Sequence, residues 1–284
     1  MISRKYSEPF SAWSEALGQS VQSVGSESFY SSLCQGLAAL PEMSHPLVLY
    51  FPKGEPPVAV YSDYTEAEDY RLQIEQYVCG PYILDPYYRL SENQAPNGVY
   101  RLREIAPDNY KHSEFYHLYY KAIKAEDELS FVQTLQNGDA LHISLTPEAD
   151  GSTFSKAMVQ FIKTVAPVVI ALNEQHWRSI ETKPSSSRGH LHQELIRGLS
   201  LFGSSVLTER EMATLGFILQ GHSNQSAADR LGISISTVKL HRKHIYKKLD
   251  IGSQSELFHL FIDSLSCLDL EEDIDPLDAY MKIP

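Results

Sequence analysis

Between Ser236 and Leu249 the chain has five Lys or Arg and no acid, and three of the cations, Lys239, Lys243 and Lys247, recur every fourth residue. At about 100° per residue that interval keeps their side chains within about 80° of one another on one side of a helix, with Ser236, Leu240 and Tyr246 beside them. Such a ridge has no group suited to making or breaking bonds. It holds phosphates by charge and offers N–H donors to base edges, and one helix fits the major groove of a duplex. The competing reading is a solvated lysine face.

A second concentration of side chains suits small molecules. Ten of the 17 tyrosines lie between Tyr70 and Tyr120: Tyr70, Tyr77, Tyr82, Tyr87, Tyr88, Tyr100, Tyr110, Tyr116, Tyr119 and Tyr120. A phenol joins an apolar ring to one hydrogen-bonding tip, as a mostly apolar pocket requires. The alternative is a tyrosine-rich core and surface. Asp85, before Pro86 and among aromatic residues, reads equally as the polar anchor of such a pocket or as an Asx-turn that fixes the loop. Tyr77, Tyr82, Asp85, Tyr88 and Tyr100 are the candidate ligand residues.

Catalysis has little to work with. Cys34, Cys79 and Cys267 are widely spaced without a CxxC pair, and an unperturbed thiol is mostly protonated at neutral pH, so a cysteine–histidine nucleophile is the minor reading. His190 and His192 have no thiol or carboxylate beside them and read as solvated; no metal and no cofactor are expected. A GxxxxGK[ST] phosphate loop is missing, and the first strand ends in Phe51-Pro52-Lys53 where a phosphoacceptor receiver has paired acids. The expectation is a binding protein and not an enzyme.

The lysine ridge needs a scaffold, and residues 207–249 spell one. Thr208 and Glu211 form a capping box, and Met212, Leu215, Ile218 and Leu219 follow on one face until Gly221. Ser223 caps a short helix whose Ala227 and Ala228 permit close backbone approach, and Gly232 ends it. Ser234 caps the third helix, in which Val238, Ile245 and Leu249 make the buried stripe. Ser253 and Glu256 open a fourth with Leu257, Phe258, Leu260, Phe261 and Leu265.

LTEREMATL, GHSNQSAA and LGISISTVKLHRKHIYKKL together resemble the LuxR/GerE family of bacterial transcription regulators, over roughly residues 205 to 265, about a fifth of the chain. The resemblance implies an all-α, four-helix helix-turn-helix domain. In it Lys239, Leu240 and Lys243 face base edges, and Thr237, His241 and Lys247 lie where phosphate contacts are expected. The fourth helix pairs subunits in that family, which makes Phe258 and Leu265 the candidate dimer seam. A homodimer then reads a pseudo-palindromic double-stranded DNA site, with RNA polymerase as a candidate partner. Ser226-Ala227-Ala228 departs from the family's charged residue, isoleucine and alanine, which thins a core contact without touching the reading face.

Some 200 residues precede that domain. The chain carries a formal charge of −12: −8 over residues 1–200, +1 over 201–265 and −5 over 266–284. The basic ridge is thus a local patch on a chain whose overall field repels DNA. The start, MISRKYSEPF, has no apolar h-region, and the apolar run Val165 to Leu172 is short and broken by Pro167; with free thiols this predicts a cytoplasmic protein without a membrane segment.

Helices are expected around Phe10–Val21, Phe29–Leu40, Tyr64–Val78 and Ser113–Ile123, with a long one from Phe154 to about Ile180. Strands are expected at Leu47–Phe51 and Val58–Ser62, paired as a hairpin, near Val99–Ile105, and at Leu129–Leu135 and Ala140–Leu145, with YILDPYYRL as a loop. An antiparallel sheet flanked by helices and closed by a long helix makes an α+β domain that resembles, in architecture, the GAF or PAS type of sensor. The division predicted is a sensor at 1–180, a linker with a short helix at 181–204, the DNA-binding domain at 205–266 and an acidic tail at 267–284. The tail reads as a disordered solubilising end, or as a contact for a basic partner.

The function implied is a sequence-specific DNA-binding regulator controlled by an unidentified small molecule. An acyl-homoserine-lactone receptor of the same family is the alternative, favoured by the aromatic run before Asp85-Pro86 and disfavoured by tryptophans found only at positions 13 and 177. A protein-interaction module that does not bind DNA is the other.

Overall fold

The computed structural model describes residues 4–64, 70–180, 195, 197–265 and 275–282. Five antiparallel strands form one sheet in the order β2-β1-β5-β4-β3: β1 (Met43–Phe51), β2 (Val58–Ser62), β3 (Gly98–Arg101), β4 (Leu129–Thr134) and β5 (Ala140–Pro147). Alternation along β5 sorts the two faces. Leu141, Ile143 and Leu145 join one core while His142, Ser144 and Thr146 face a cavity on the other side.

Helices α1 (Arg4–Gln22) and α2 (Phe29–Ala38) and the long α6 (Lys156–Ser179) serve the first face. Ser155 caps α6 by accepting from Met158 N at 3.1 Å. This helix is long and apolar enough to cross a membrane by length and composition, with mean hydropathy 1.3. It nevertheless buries Asn173 and His176 on its inner side and contains Pro167. His176 stacks on Phe29 at 4.1 Å and accepts from Gly25 N at 3.1 Å, and burial lowers its pKa to about 4.

On the opposite face the YILDPYYRL stretch is helical where the sequence predicts a loop: a 3-10 turn over Pro81–Leu84 leads into α3 (Pro86–Glu92). Asp85 caps α3 and Pro86 occupies its first turn, where a missing N–H costs nothing. β3 also stops earlier than expected. Its partner β4 begins at Leu129, opposite Arg101, so Leu102–Ile105 leaves the ladder and turns as α4. Arg101 is buried against Asp127, which also accepts from Phe154 N at 3.0 Å and so ties β3 to the approach of α6.

The stretch expected as one helix over Ser113–Ile123 is α5 (Glu114–Tyr116), capped by Ser113 and continued by a π-helical turn over His117–Lys121. Another π-helical segment covers Arg71–Gln76; residues 65–69 of the expected Tyr64–Val78 helix lie outside the described residues.

Residues 209–265 supply α7 (Glu209–Leu219), α8 (Asn224–Leu231), α9 (Ile235–Lys248) and α10 (Gln254–Leu265). They pack on the cavity side of the sensor, and one continuous core runs from Tyr77 and Tyr110 to Leu195, Phe202, Leu215 and Phe261. Leu195 and Phe202 of the connecting segment are buried; Leu191, Ile196 and the linker stretch 181–189 lie outside the described residues. Part of the acidic tail is folded, contrary to a disordered end: α11 (Pro276–Met281) lies on α10, and Asp275 accepts from Gly203 N and Ser205 N at 2.9 and 2.8 Å.

Candidate nucleic-acid interface and sensor pocket

The four capping signals read from the sequence are formed, that of the fourth helix by Ser253 accepting from Glu256 N at 3.1 Å. Thr208 and Glu211 bond reciprocally, Ser223 accepts from Ser226 N, and Ser234 accepts from Thr237 N at 3.1 Å. Gly232 ends α8 with a left-handed φ of 65°, which sets the turn into α9. Val238 and Ile245 are buried on the inner side of α9.

Lys239, Leu240, Lys243 and Lys247 are exposed on the outer side, and Thr237 and His241 are half-buried next to them. Among the described residues none of the three lysines makes a hydrogen bond or ion pair. The other two cations of α9 have structural partners. Arg242 donates to Tyr246 Oη at 3.1 Å, and Lys248 donates to Glu211 at 2.7 Å. Glu211 is almost wholly buried; burial alone raises its pKa, but the hydrogen bonds from Lys248 and Thr208 bring it down to about 2.

In the sensor, a cavity of about 50 Å³ lies between the sheet and the tyrosine-rich helices. That is room for a few waters. Of the predicted ligand residues Tyr77 and Asp85 line it, whereas Tyr82, Tyr88 and Tyr100 do not. Tyr82 and Tyr88 are buried in edge contact with each other at 5.1 Å, and Tyr100 donates to Pro96 O at 2.6 Å near the sheet edge.

Asp85 takes the turn-fixing role and also faces the cavity. One oxygen accepts from Tyr87 N at 2.8 Å as the cap of α3, and the other accepts from Tyr77 Oη at 2.7 Å. Burial pushes its pKa up to about 6, against the lowering effect of those two bonds. Glu128, which sequence reasoning missed, faces the same cavity and accepts from Tyr120 Oη at 2.6 Å. Burial, followed by the nearby Asp85, raises it to about 8. His142 lines the cavity from β5 and is bonded to Ser91 at 2.7 Å; burial lowers its pKa to about 3, so it is neutral. Among the described residues no lysine or arginine lines this cavity. Nor does either tryptophan: both belong to the core on the other side of the sheet.

Cys34 is buried in that same core and burial pushes its thiol pKa up, which removes the thiolate a nucleophile needs. Cys79 is exposed. Cys267, His190 and His192 lie outside the described residues, among which no group of three His, Cys, Asp or Glu is placed to hold a metal.

The two halves meet at the turn between α7 and α8. Gly221 adopts φ 85°, and a Cβ on it would lie 3.1 Å from Tyr110 Cα and 3.2 Å from Ser113 Cβ, so glycine serves both the turn and the close approach of the sensor backbone. Beside it Asp108 accepts from Ser223 N at 3.0 Å and from the Ser223 hydroxyl. Of the predicted dimer seam, Phe258 is buried within the single chain, and Leu265 approaches Gly80 of the sensor.

Residues 205–261 match the family described as bacterial regulatory proteins, luxR family. Over 186 residues the chain is 30% identical to an HTH-type transcriptional regulator in the exeN 3′ region of Aeromonas salmonicida, covering 64% of this chain and 94% of that protein. It is 43% identical over 61 residues to the transcriptional regulatory protein MctR of Rhizobium johnstonii, a match spanning 22% of this chain and 28% of the relative. Among solved structures, the VqsR LBD domain from Pseudomonas aeruginosa superposes with a TM-score of 0.51 at 25% identity, over 60% of this chain and 99% of that one. The chain therefore belongs to the luxR family of bacterial regulatory proteins and is a DNA-binding transcription regulator.

Proposed function

We propose that this regulator reads a pseudo-palindromic DNA site as a homodimer under the control of a small molecule held in its N-terminal domain. The observation that carries the reading face is that Lys239, Lys243 and Lys247 stand clear of any partner while Arg242 and Lys248 on the same helix are tied down. Lys239, Leu240 and Lys243 take the base edges; Thr237, His241 and Lys247 take phosphates. Phe258 and Leu265 form the seam once α10 leaves the sensor. RNA polymerase is the candidate protein partner of the bound dimer, in the cytoplasm.

Residues 1–180 form the sensor, 181–204 the connection, 205–266 the DNA-binding domain and 267–284 the acidic end. A five-stranded antiparallel sheet with helices on both faces, closed by α6, supports the GAF or PAS type for the first of these. The buried carboxyls of Asp85 and Glu128, without a cation among the lining residues, support the ligand assignment, since buried acids are costly to keep and cluster at functional sites. They favour a neutral or cationic ligand with N–H or O–H donors. Its entry displaces tyrosines, because a cavity of about 50 Å³ has room for only a few waters.

The test is sequencing of genomic DNA fragments retained by the purified chain at near-physiological salt, beside Lys239→Ala and Lys243→Ala. Enrichment of a twofold-symmetric site that both variants lose supports the reading. Enrichment unchanged in both variants overturns the reading face.

A further inference from the structure

Between the sensor and the DNA-binding domain lies a second cavity, of about 400 Å³, several-fold roomier than the tyrosine-lined one. Its polar rim comes from both sides: Arg89 and Asn93 from the end of α3, and Gln220, His222 and Arg230 from the turns around α8. Its floor is apolar, with Leu84, Leu90 and Ile105.

The guanidinium of Arg89 is half-buried, and among the described residues it has no hydrogen bond and no ion pair. Its N–H donors are bonded to no side chain or backbone group among the described residues and are open to an acceptor in the cleft. Arg230, on the last turn of α8, adds a like charge near enough to depress the pKa of Arg89, after burial itself. His222 feels both: burial, then Arg230, then Arg89 lower its pKa to about 4, so it is a neutral ring, bonded through Nδ1 to Ser226 Oγ at 2.9 Å. Asp108 also lines the cavity, but its carboxylate is engaged by the Ser223 N–H and hydroxyl. The cleft therefore holds two guanidiniums from two domains and no free carboxylate among its lining residues.

We propose that this interdomain cleft binds a small organic phosphate, its anionic head held between Arg89 and Arg230 and its body on the Leu84, Leu90 and Ile105 floor. A phosphomonoester offers three acceptor oxygens and nearly two negative charges at neutral pH, so it can bond both guanidiniums at once. Gln220 and Asn93 supply amide donors for the remaining oxygens. Because the two arginines sit on different domains, the ligand favours the arrangement in which sensor and DNA-binding domain are docked, and its effect passes directly to the α7–α8 turn.

The test is calorimetric titration of the full chain at constant ionic strength with phenyl phosphate, inorganic phosphate and benzenesulfonate. Phenyl phosphate is expected to bind once per chain, more tightly than inorganic phosphate, with the monoanionic sulfonate weakest. Arg230→Gln and Arg89→Gln should each weaken phenyl phosphate by about tenfold or more, as expected for a lost charge-assisted hydrogen bond. Arg230 is exposed, so its variant keeps the fold and decides the matter if Arg89→Gln melts early. No saturable binding at millimolar concentration, or binding that survives Arg230→Gln, overturns the proposal. Binding lost instead in Lys243→Ala, which marks an anion on the DNA-reading helix, overturns it as well.

Discussion

On α9 the four-residue spacing of the lysines separates two kinds of contact that charge alone does not distinguish. On the proposed assignment Lys247 holds a phosphate, so with Lys247→Ala binding to all sequences should weaken alike, with the salt slope falling by about 0.9. On the same assignment Lys239 donates to bases, so Lys239→Ala should cost roughly 1 to 3 kcal/mol on the preferred site and less elsewhere. Fluorescence titrations at several salt concentrations on specific and random duplexes check both; identical behaviour of the two variants would contradict the assignment. Glu128 makes a separate prediction. An acid whose folded-state pKa is raised stabilises the fold below its unfolded value and loses that stability as pH rises through the folded value, here from 4.5 to about 8. Above about pH 7.5 His142, His176 and His222 are neutral, and Asp85 ionised, in folded and unfolded chains alike, so the slope there belongs mainly to Glu128. Urea denaturation between about pH 7.5 and 9 should show stability falling by about 1 kcal/mol, and Glu128→Gln should flatten the decline. An unchanged slope in the variant would mean that Glu128 is already ionised.

At the scale of elements, α7, α8 and α9 were legible because each carries its own start signal, and the caps at Thr208, Ser223 and Ser234 bond as the spacing requires. Thr208→Ala should therefore lower stability by about 1 kcal/mol, read as an earlier thermal transition of the full chain, with little change in the contacts α9 makes to DNA. A loss far larger would show that Glu211, buried beneath Lys248, depends on Thr208 for its charge. The sensor elements were less legible for physical reasons. α3 begins at a proline in an aromatic run whose period matches neither helix nor strand, and only the Asp85 cap announces it. The π-helical turns at Arg71–Gln76 and His117–Lys121 are stabilised by tertiary packing of the tyrosines, not by a local signal. Glu128 was missed because Glu126-Asp127-Glu128 reads as a solvated acidic turn, yet the start of β4 pulls the last of the three beneath Tyr120.

At the scale of the whole molecule, the sensor holds the DNA-binding domain by surfaces that DNA and a second subunit also need on the proposed reading. Asp108 places a carboxylate on the Ser223 N–H and hydroxyl at the start of α8, where the amides and dipole of a helix N-terminus receive a phosphate, and the first helix of a helix-turn-helix crosses the DNA backbone. Phe258 is covered in the same docked state, and Leu265 faces Gly80. Docking and DNA-bound dimerisation therefore compete for α8 and α10, and whatever stabilises docking lowers the population able to bind. Asp108 is exposed and its removal leaves every core contact in place, so Asp108→Ala isolates this competition. With about 1 kcal/mol lost from docking, operator affinity should rise several-fold and the dimer fraction with it, measured by gel shift and sedimentation velocity on the same preparation. Ser223→Ala removes only the hydroxyl bond to Asp108, leaving the backbone one, and also removes the cap of α8, and so should weaken DNA binding instead. Opposite signs for the two variants are the signature of a carboxylate standing where a phosphate belongs; loss of affinity in both would mean that the contact is needed for the active form.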